Sequence, residues 1–129
     1  MTFQRIFPAK LYEGLGGEKC TVRTAVFNLT AGSTTAVIPA NPTKKIRVMG
    51  TFGTSDSGAA MGVVYFRNGT GGANLLDPVV YPLNTQPTTL ILPIVDSGYC
   101  ETDVNTALAL QVFVSTVRGT VFFIEYTPD

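Results

Sequence analysis

The stretch ALALQVFVSTVRGTVFFIEY, residues 107–126, decides the fold class of this 129-residue chain. Every second residue from Leu108 to Val114 is aliphatic, which is the period of a β-strand with one buried face. The segment 119–126 follows a short polar break and is apolar on both faces. Alanine and leucine also favour helices, but the alternation continues into β-branched residues. We therefore predict two successive strands here, rather than a helix over 107–114.

Similar short runs, rich in β-branched and aromatic residues and bounded by Gly, Pro, Asn or Ser, occur throughout the preceding sequence. They are TVRTAVFNLT (21–30), TTAVIP (34–39), KKIRVMGTF (44–52), AMGVVYFR (60–67), TTLILPI (88–94) and GYCET (98–102), with a short edge strand near PVVYP (78–82). About eight strands without helical periodicity predict an all-β fold in which two antiparallel sheets pack as a sandwich. The length suits one such domain, which we assign to residues 21–129.

Residues 44–52 show the clearest half-buried pattern. Simple alternation places Ile46, Val48 and Phe52 on the core face and Thr51 on the opposite face.

Residues 1–20 lack both periodicities and mix apolar residues with Pro8 and several glycines. We interpret them as an extended N-terminal arm that packs along its own domain or on a neighbouring subunit.

Charge and composition exclude several functions. Nine basic and nine acidic residues cancel, so nothing favours nucleic acid or an anionic membrane as a partner. Only 14% of residues are charged. No apolar run reaches the ~20 residues of a membrane span, and residues 1–14 lack a secretory signal pattern. The chain has no histidine, which removes the usual general base and the commonest transition-metal ligand. We expect no enzymatic activity, no catalytic or metal-binding residues, no cofactor, and synthesis in a cytoplasm.

The segment SGYCETDVNTALAL (97–110) resembles a reactive site because Cys100, Glu101 and Asp103 are so close together. Without histidine, we interpret it as a short strand and a turn that lead into the strand from Leu108. Cys100 is then a small apolar side chain, and the two acids are solvated or form contacts. Cys20 and Cys100 are expected to remain thiols, with one disulfide as the alternative.

The last strand presents Phe122, Ile124 and Tyr126 on the face opposite to Val121 and Phe123. One face fills the sandwich core, and the other face needs separate cover. We predict that Phe122, Ile124 and Tyr126 contact another protomer. The alternative is that the N-terminal arm or the loop 70–87 folds back over them.

Several of these segments together resemble a pattern found in small virion proteins of tailed bacteriophages. The pattern runs from a basic strand through a Ser/Ala-rich loop and a V-x-F strand to an acid-Gly-aromatic turn with E-T, an A-L-x-L strand and a G-x-V-x-x-x-Y strand. The matching positions are Lys45–Val48, Val64–Phe66, Gly98–Thr102, Ala107–Leu110 and Gly119–Tyr126, within a resemblance that covers roughly residues 36–126. The arm and the proline-rich segment 78–87 depart from it.

The resemblance implies a jelly-roll-like sandwich that serves as a capsid decoration (cement) protein on the head surface of a virion. It implies a homotrimer that binds the major capsid protein and stabilises contacts between capsid subunits. On that basis, the predicted capsid contacts lie in the arm, at Phe3, Arg5, Phe7, Leu11 and Tyr12. A further basic cluster, Lys44, Lys45 and Arg47, is either a solvated face or an ion-pairing patch for an acidic capsid surface. The alternative function is a head- or tail-fibre module that binds a carbohydrate receptor, since jelly rolls also serve as lectins.

Overall fold

The computed structural model describes residues 11–13, 19–86 and 89–128. They form eleven strands: β1 Leu11–Glu13, β2 Lys19–Thr21, β3 Arg23–Leu29, β4 Thr34–Ile38, β5 Lys45–Ser55, β6 Gly62–Asn68, β7 Val79–Tyr81, β8 Thr89–Leu92, β9 Cys100–Glu101, β10 Leu108–Val112 and β11 Val117–Tyr126. The prediction of an all-β fold is confirmed, and this part of the chain contains no helix. Among the described residues there is accordingly no helix that is long and apolar enough to cross a membrane.

Nine of the strands form two antiparallel sheets that pack against each other. One sheet has the order β3-β11-β5-β8, with β9 also pairing with β5, and the other has the order β4-β10-β6-β7. If the eight strands β3–β8, β10 and β11 are renumbered 1 to 8 along the chain, the two sheet orders become 1-8-3-6 and 2-7-4-5. That connectivity is the one of a jelly roll, a double-sheet sandwich built from two Greek keys. The predicted antiparallel sandwich is confirmed.

The core between the sheets follows from the two-residue alternation of the strands. Leu108, Leu110 and Val112 of β10 are fully buried and point inward, as the sequence predicted. Val121 and Phe123 of β11 enter the same cluster from the opposite sheet. The strand predicted over 107–115 is confirmed as β10. It begins one residue later and ends three residues earlier than predicted.

A β-bulge at Met49 corrects the face assignment predicted for β5. Phe122 of β11 pairs with Gly50 and Phe123 pairs with Val48, so Met49 is an extra residue without a cross-strand partner on β11. One extra residue reverses the alternation after it. Thr51 therefore points into the core and Phe52 lies on the outer face, against Phe122 at 5.7 Å between ring centroids.

The inward position of Thr51 puts a hydroxyl into the core, where it is hydrogen-bonded twice. Its Oγ1 lies 2.7 Å from the hydroxyl of Tyr81 and 2.8 Å from the carbonyl oxygen of Thr120, to which it donates. Burial raises the pKa of Tyr81 far above its ordinary value, so this phenol is neutral. The pair links the two sheets, because Thr51 lies on β5 and Tyr81 on β7.

The segment that we interpreted as an arm is in part a two-stranded sheet. β1 pairs antiparallel with β2 in the register Leu11↔Thr21, Tyr12↔Cys20 and Glu13↔Lys19. Cys20 is buried and packs with Met49, Ile124 and Tyr126 on the outer face of β5 and β11. The last residues of the predicted arm are thus attached to the sandwich, whereas residues 1–10 and 14–18 lie outside the described part of the chain.

We expect Thr51→Val to lower the free energy of unfolding by about 1–3 kcal/mol, because it leaves a buried Tyr81 hydroxyl and the Thr120 carbonyl without their partner. Tyr81→Phe should cost less, about 0.5–1.5 kcal/mol, because Thr51 still donates to Thr120. Urea unfolding measures both, with an unchanged slope showing that only stability has changed.

The double variant is the control. If the hydrogen bond is real, Tyr81→Phe costs less in the Thr51→Val background than in the wild type. Simple additivity of the two costs would contradict the pairing.

Candidate functional site

The segment 98–102 is held along the first half of β5. Cys100 pairs with Val48 and Glu101 pairs with Arg47 in the antiparallel ladder. The pairing is extended at both ends, by the N–H of Tyr99 to the carbonyl of Val48 (2.8 Å) and the N–H of Thr102 to the carbonyl of Ile46 (2.9 Å). The hydroxyl of Thr102 also accepts the N–H of Ile46 at 3.0 Å, which explains its burial.

Gly98 gives this segment its approach to β5. Its φ is +70°, and a Cβ at this position would lie 2.8 Å from the carbonyl oxygen of Val48 and from Cγ of Arg47. Only glycine fits such a turn without displacing backbone. The acid-Gly-aromatic motif found in the sequence is therefore the turn that delivers Glu101 to β5.

Glu101 is the centre of a charged cluster that consists of Glu101, Lys45, Arg47 and Tyr126, which we call the Glu101 cluster. Oε1 accepts hydrogen bonds from Nε and Nη2 of Arg47 at 3.1 and 3.0 Å and from the hydroxyl of Tyr126 at 2.6 Å. Oε2 accepts one from Nζ of Lys45 at 3.2 Å. The Arg47 guanidinium also lies over the ring of Tyr126, 4.6 Å from its centroid.

These contacts stabilise the charged forms of the cluster. Partial burial acts to raise the pKa of Glu101, but the hydrogen bonds from Tyr126, Arg47 and Lys45 outweigh it and hold that pKa below its ordinary value. The hydrogen bond to Glu101 likewise raises the pKa of Lys45. Around neutral pH, the cluster therefore contains one carboxylate and two cations.

The predicted ion-pairing patch is thus partly occupied from within the chain. Lys45 and Arg47 form ion pairs with Glu101, while Lys44 precedes the strand and is only partly exposed. Pairing of this patch with an acidic surface of another protein stays a prediction. Of the two alternatives expected for Glu101, solvated or contact-forming, the structure shows the second, because this carboxylate is held by three side chains.

Asp103, the second acid of the motif, belongs to a different contact. Its carboxylate accepts the side-chain amide of Asn68 at 2.9 Å, and its N–H donates to the Asn68 side-chain oxygen at 2.9 Å. The predicted turn follows, with Asn105 at a φ of 57°. Glu101 and Asp103 therefore have separate partners and do not form a carboxylate pair.

Both cysteines are thiols, as expected, and neither is in a disulfide. Cys100 packs against the core between the sheets, whereas Cys20 packs on the outer side of the β5–β11 pair. The two sulfurs thus lie on opposite faces of one sheet. Burial, together with the nearby carboxylate of Glu101, raises the pKa of Cys100 to about 12, so this thiol is protonated and a poor nucleophile near neutral pH.

The three residues predicted to contact another protomer share the outer face of β11. Ile124 and Tyr126 are 1% and 0% exposed, beneath Cys20 and Val22 of the same chain, so their burial requires no second subunit. That cover is the fold-back alternative that the sequence left open. Phe122 is only half-buried and lies at the border of the covered area, where contact with another protomer stays a prediction.

The predicted capsid contacts at Phe3, Arg5 and Phe7 lie outside the described residues. Leu11 and Tyr12 lie on β1, next to the buried Cys20.

The structure also shows surface residues that the sequence did not single out. Val26, at the centre of β3, is 82% exposed. On the outer face of the other sheet, the rings of Tyr65 and Phe113 meet edge to face at 5.1 Å, beside a hydrogen bond from Arg67 to Gln111. The alternation of β6 places Tyr65 outward, but its proximity to Phe113 depends on the pairing of β6 with β10.

Metal binding finds no support in these residues: within 11–13, 19–86 and 89–128, no group of three or more His, Cys, Asp or Glu side chains could hold an ion.

Comparisons with known proteins add little to this description. No family model matches the chain, and no curated protein matches it either. Among solved structures, the fold is similar to a chain of Bacillus endospore appendages, described as a novel family of disulfide-linked pili. The two chains are 11% identical, the match covers 100% of each, and the TM-score is 0.47. This similarity is too low to support a conclusion about function.

We expect Glu101→Gln to destabilise the protein at pH 7 by about 1–3 kcal/mol, because hydrogen bonds to a charged group are lost and Arg47 remains half-buried. The lowered pKa of Glu101 means that its stabilisation is present above the ordinary value of 4.5 and is lost as the pH falls below it. The difference between wild type and variant should therefore shrink on acidification from pH 5 to pH 2, as measured by urea unfolding.

Asp56→Asn is a matched control, because Asp56 and Arg118 form an ion pair that is about half exposed. It should change the stability at pH 7 by less than about 1 kcal/mol. If the free energy of unfolding of the wild type exceeded that of Glu101→Gln by the same amount at every pH, the carboxylate charge would not stabilise the fold.

Proposed function

We propose that this protein is a structural virion component, a decoration or cement protein that binds the outer surface of a phage head and stabilises contacts between capsid subunits. Its partners are then the major capsid protein and further copies of itself, in the trimer that the resemblance implies. The proposal requires no catalysis. It places the protein at the capsid surface.

The observation that carries the proposal is the division of the outer face of the β3-β11-β5-β8 sheet. One half is covered by the chain itself, through Cys20 and Val22. The other half carries the half-buried rings of Phe52 and Phe122 and the exposed side chain of Val26. This part is mostly uncharged, as is typical of the centre of a surface that docks on another protein.

A second support is the attachment of the arm. The pairing of β1 with β2, and the burial of Cys20, fix the point from which residues 1–10 start. In this proposal, residues 1–10 contact one capsid subunit while the sheet face contacts another. Several weak contacts made at once give strong attachment to a repetitive lattice.

The motif positions that carry the resemblance to phage virion proteins are also structural elements of this sandwich. Lys45–Val48 lies on β5, Gly98–Thr102 is the turn and strand that hold Glu101, and Gly119–Tyr126 is most of β11. The resemblance therefore concerns the framework of the fold and all four members of the Glu101 cluster, Glu101, Lys45, Arg47 and Tyr126.

A truncated chain that lacks residues 1–10 tests the proposal, because it keeps the β1–β2 pairing and the sandwich. We expect it to bind purified phage heads at least about tenfold more weakly than the full chain, since one of several simultaneous contacts is lost. Its thermal midpoint should be unchanged. Co-sedimentation with heads measures the binding, and electron microscopy of the particle locates the protein.

Val80→Ser is the matched control for this experiment. Val80 is an exposed apolar residue on β7 of the other sheet, and its replacement should leave binding to heads unchanged. The proposal fails if the full chain does not bind heads, or if the truncated chain binds as tightly as the full chain.

The alternative function, a fibre module that binds a carbohydrate receptor, is favoured by one observation. Phe113 is 43% exposed and packs on Tyr65, next to the hydrogen-bonded side chains of Arg67 and Gln111. An aromatic surface beside polar side chains is the composition by which proteins bind sugar rings and their hydroxyls.

In that case, Phe113→Ala should abolish retention on a glycan array, because the exposed ring is lost. Val114→Ala is the matched control, since Val114 is the neighbouring exposed residue and is not aromatic. Failure of the wild-type chain to bind any glycan would exclude this alternative and leave the capsid proposal untouched.

A further inference from the structure

The outer edges of the two sheets differ in how well they are protected. An edge strand presents unpaired N–H and C=O groups, and proteins commonly protect it by short length, proline, a bulge or charge. β7 has three residues and lies between Pro78 and Pro82. β4 and β8 are short, and each carries an extra residue relative to its partner strand. These three edges are unsuitable for pairing with another strand.

β3 lacks all of these devices. It has seven residues, contains no proline, and pairs with β11 in unbroken register from Arg23↔Phe123 to Leu29↔Val117. Among the described residues no strand lies on its other side, because β3 ends the sheet order. Its one charged residue, Arg23, is at the end of the strand, where it binds Glu125.

The side chains of β3 also fit a partner strand. Phe27 and Leu29 point into the core, whereas Thr24, Val26 and Asn28 alternate on the exposed face. Val26 is the middle residue of the strand and is 82% exposed, although a β-branched side chain is favoured on a paired, half-covered surface. Beside it, an open depression is lined by Phe52, Thr54 and Thr120.

We propose that β3 pairs antiparallel with β3 of a second copy of this chain, around a two-fold axis at Val26. The two five-stranded sheets then form one continuous sheet across the dimer, and both edges are removed at once. Such a contact is isologous, so the same strand serves both subunits.

The register follows from the sequence of the strand itself. Pairing centred on Val26 sets Val26 opposite its own copy, Thr24 opposite Asn28, and Arg23 opposite Leu29. No like charges meet, and β-branched and small polar residues face each other, which are favourable cross-strand pairs.

The contact does not rest on the proposed function. A trimer would have to form through another surface, and could then pair with a second trimer through β3.

Charge substitution at Val26 tests the contact, because this exposed side chain can change without disturbing the core. We expect the wild type to have a molar mass in solution that is an even multiple of the 13.7 kDa of one chain. Val26→Lys and Val26→Glu should each halve that mass, because like charges are then opposed at the axis. An equimolar mixture of the two variants should regain the wild-type mass, because lysine then faces glutamate.

Light scattering after size-exclusion chromatography and sedimentation velocity measure the masses, and thermal melting shows that each variant is folded. Val80→Lys is the matched control, since it adds a lysine at an exposed valine of the protected edge strand β7 and should leave the mass unchanged.

Three results would overturn the inference: a wild type that is a monomer or a trimer, variants that keep the wild-type mass, or a mixture that stays at half mass. The chain that lacks residues 1–10 separates this contact from the capsid proposal, because it keeps β3. It should retain the wild-type mass even where its binding to phage heads is weakened.

Discussion

The long pairing of β5 with β11, and the one residue that interrupts it, is the constraint on which the rest of this structure depends. Met49 has no partner on β11, so the side chains before and after it belong to opposite alternations. As a result, both Val48 and Thr51 point into the core, while Met49 joins the outer cluster. A regular strand would instead have buried Phe52 between the sheets and left Thr51 outside.

The same strand organises the charged end of the molecule. On the side away from β11, β5 is long enough to pair first with β9 and then with β8. β9 brings Glu101 beside Arg47, and β11 supplies Tyr126 from the other side. One half of the outer face is therefore occupied by a satisfied ionic and apolar cluster, which leaves the half around Phe52 available for contact with other molecules.

The strands could be predicted from the sequence because alternation is a local property: the aliphatic row of Leu108, Leu110 and Val112 indicates a buried face without knowledge of its partner. Val114 continues the row in sequence, but it lies beyond the end of β10 and is exposed. The jelly-roll connectivity came from resemblance, since periodicity does not say which strands are neighbours. The bulge has no local signal either, because it arises from the register between two strands. The Glu101 cluster was missed for a similar reason, because its members are far apart in sequence. Glu101 is 54 positions from Arg47, and Tyr126 is 79 positions from Arg47. β1 and β2 have three residues each, too few to show a period.

The placement of Cys20 and Cys100 on opposite faces of one sheet has a chemical consequence. A sheet keeps the two sulfurs apart as long as it is folded, so oxidation within one molecule cannot join them without unfolding. The folded chain therefore forms no intramolecular disulfide in either a reducing or an oxidising medium. The cohesion of the sandwich rests instead on packing and hydrogen bonds, which do not change with redox potential.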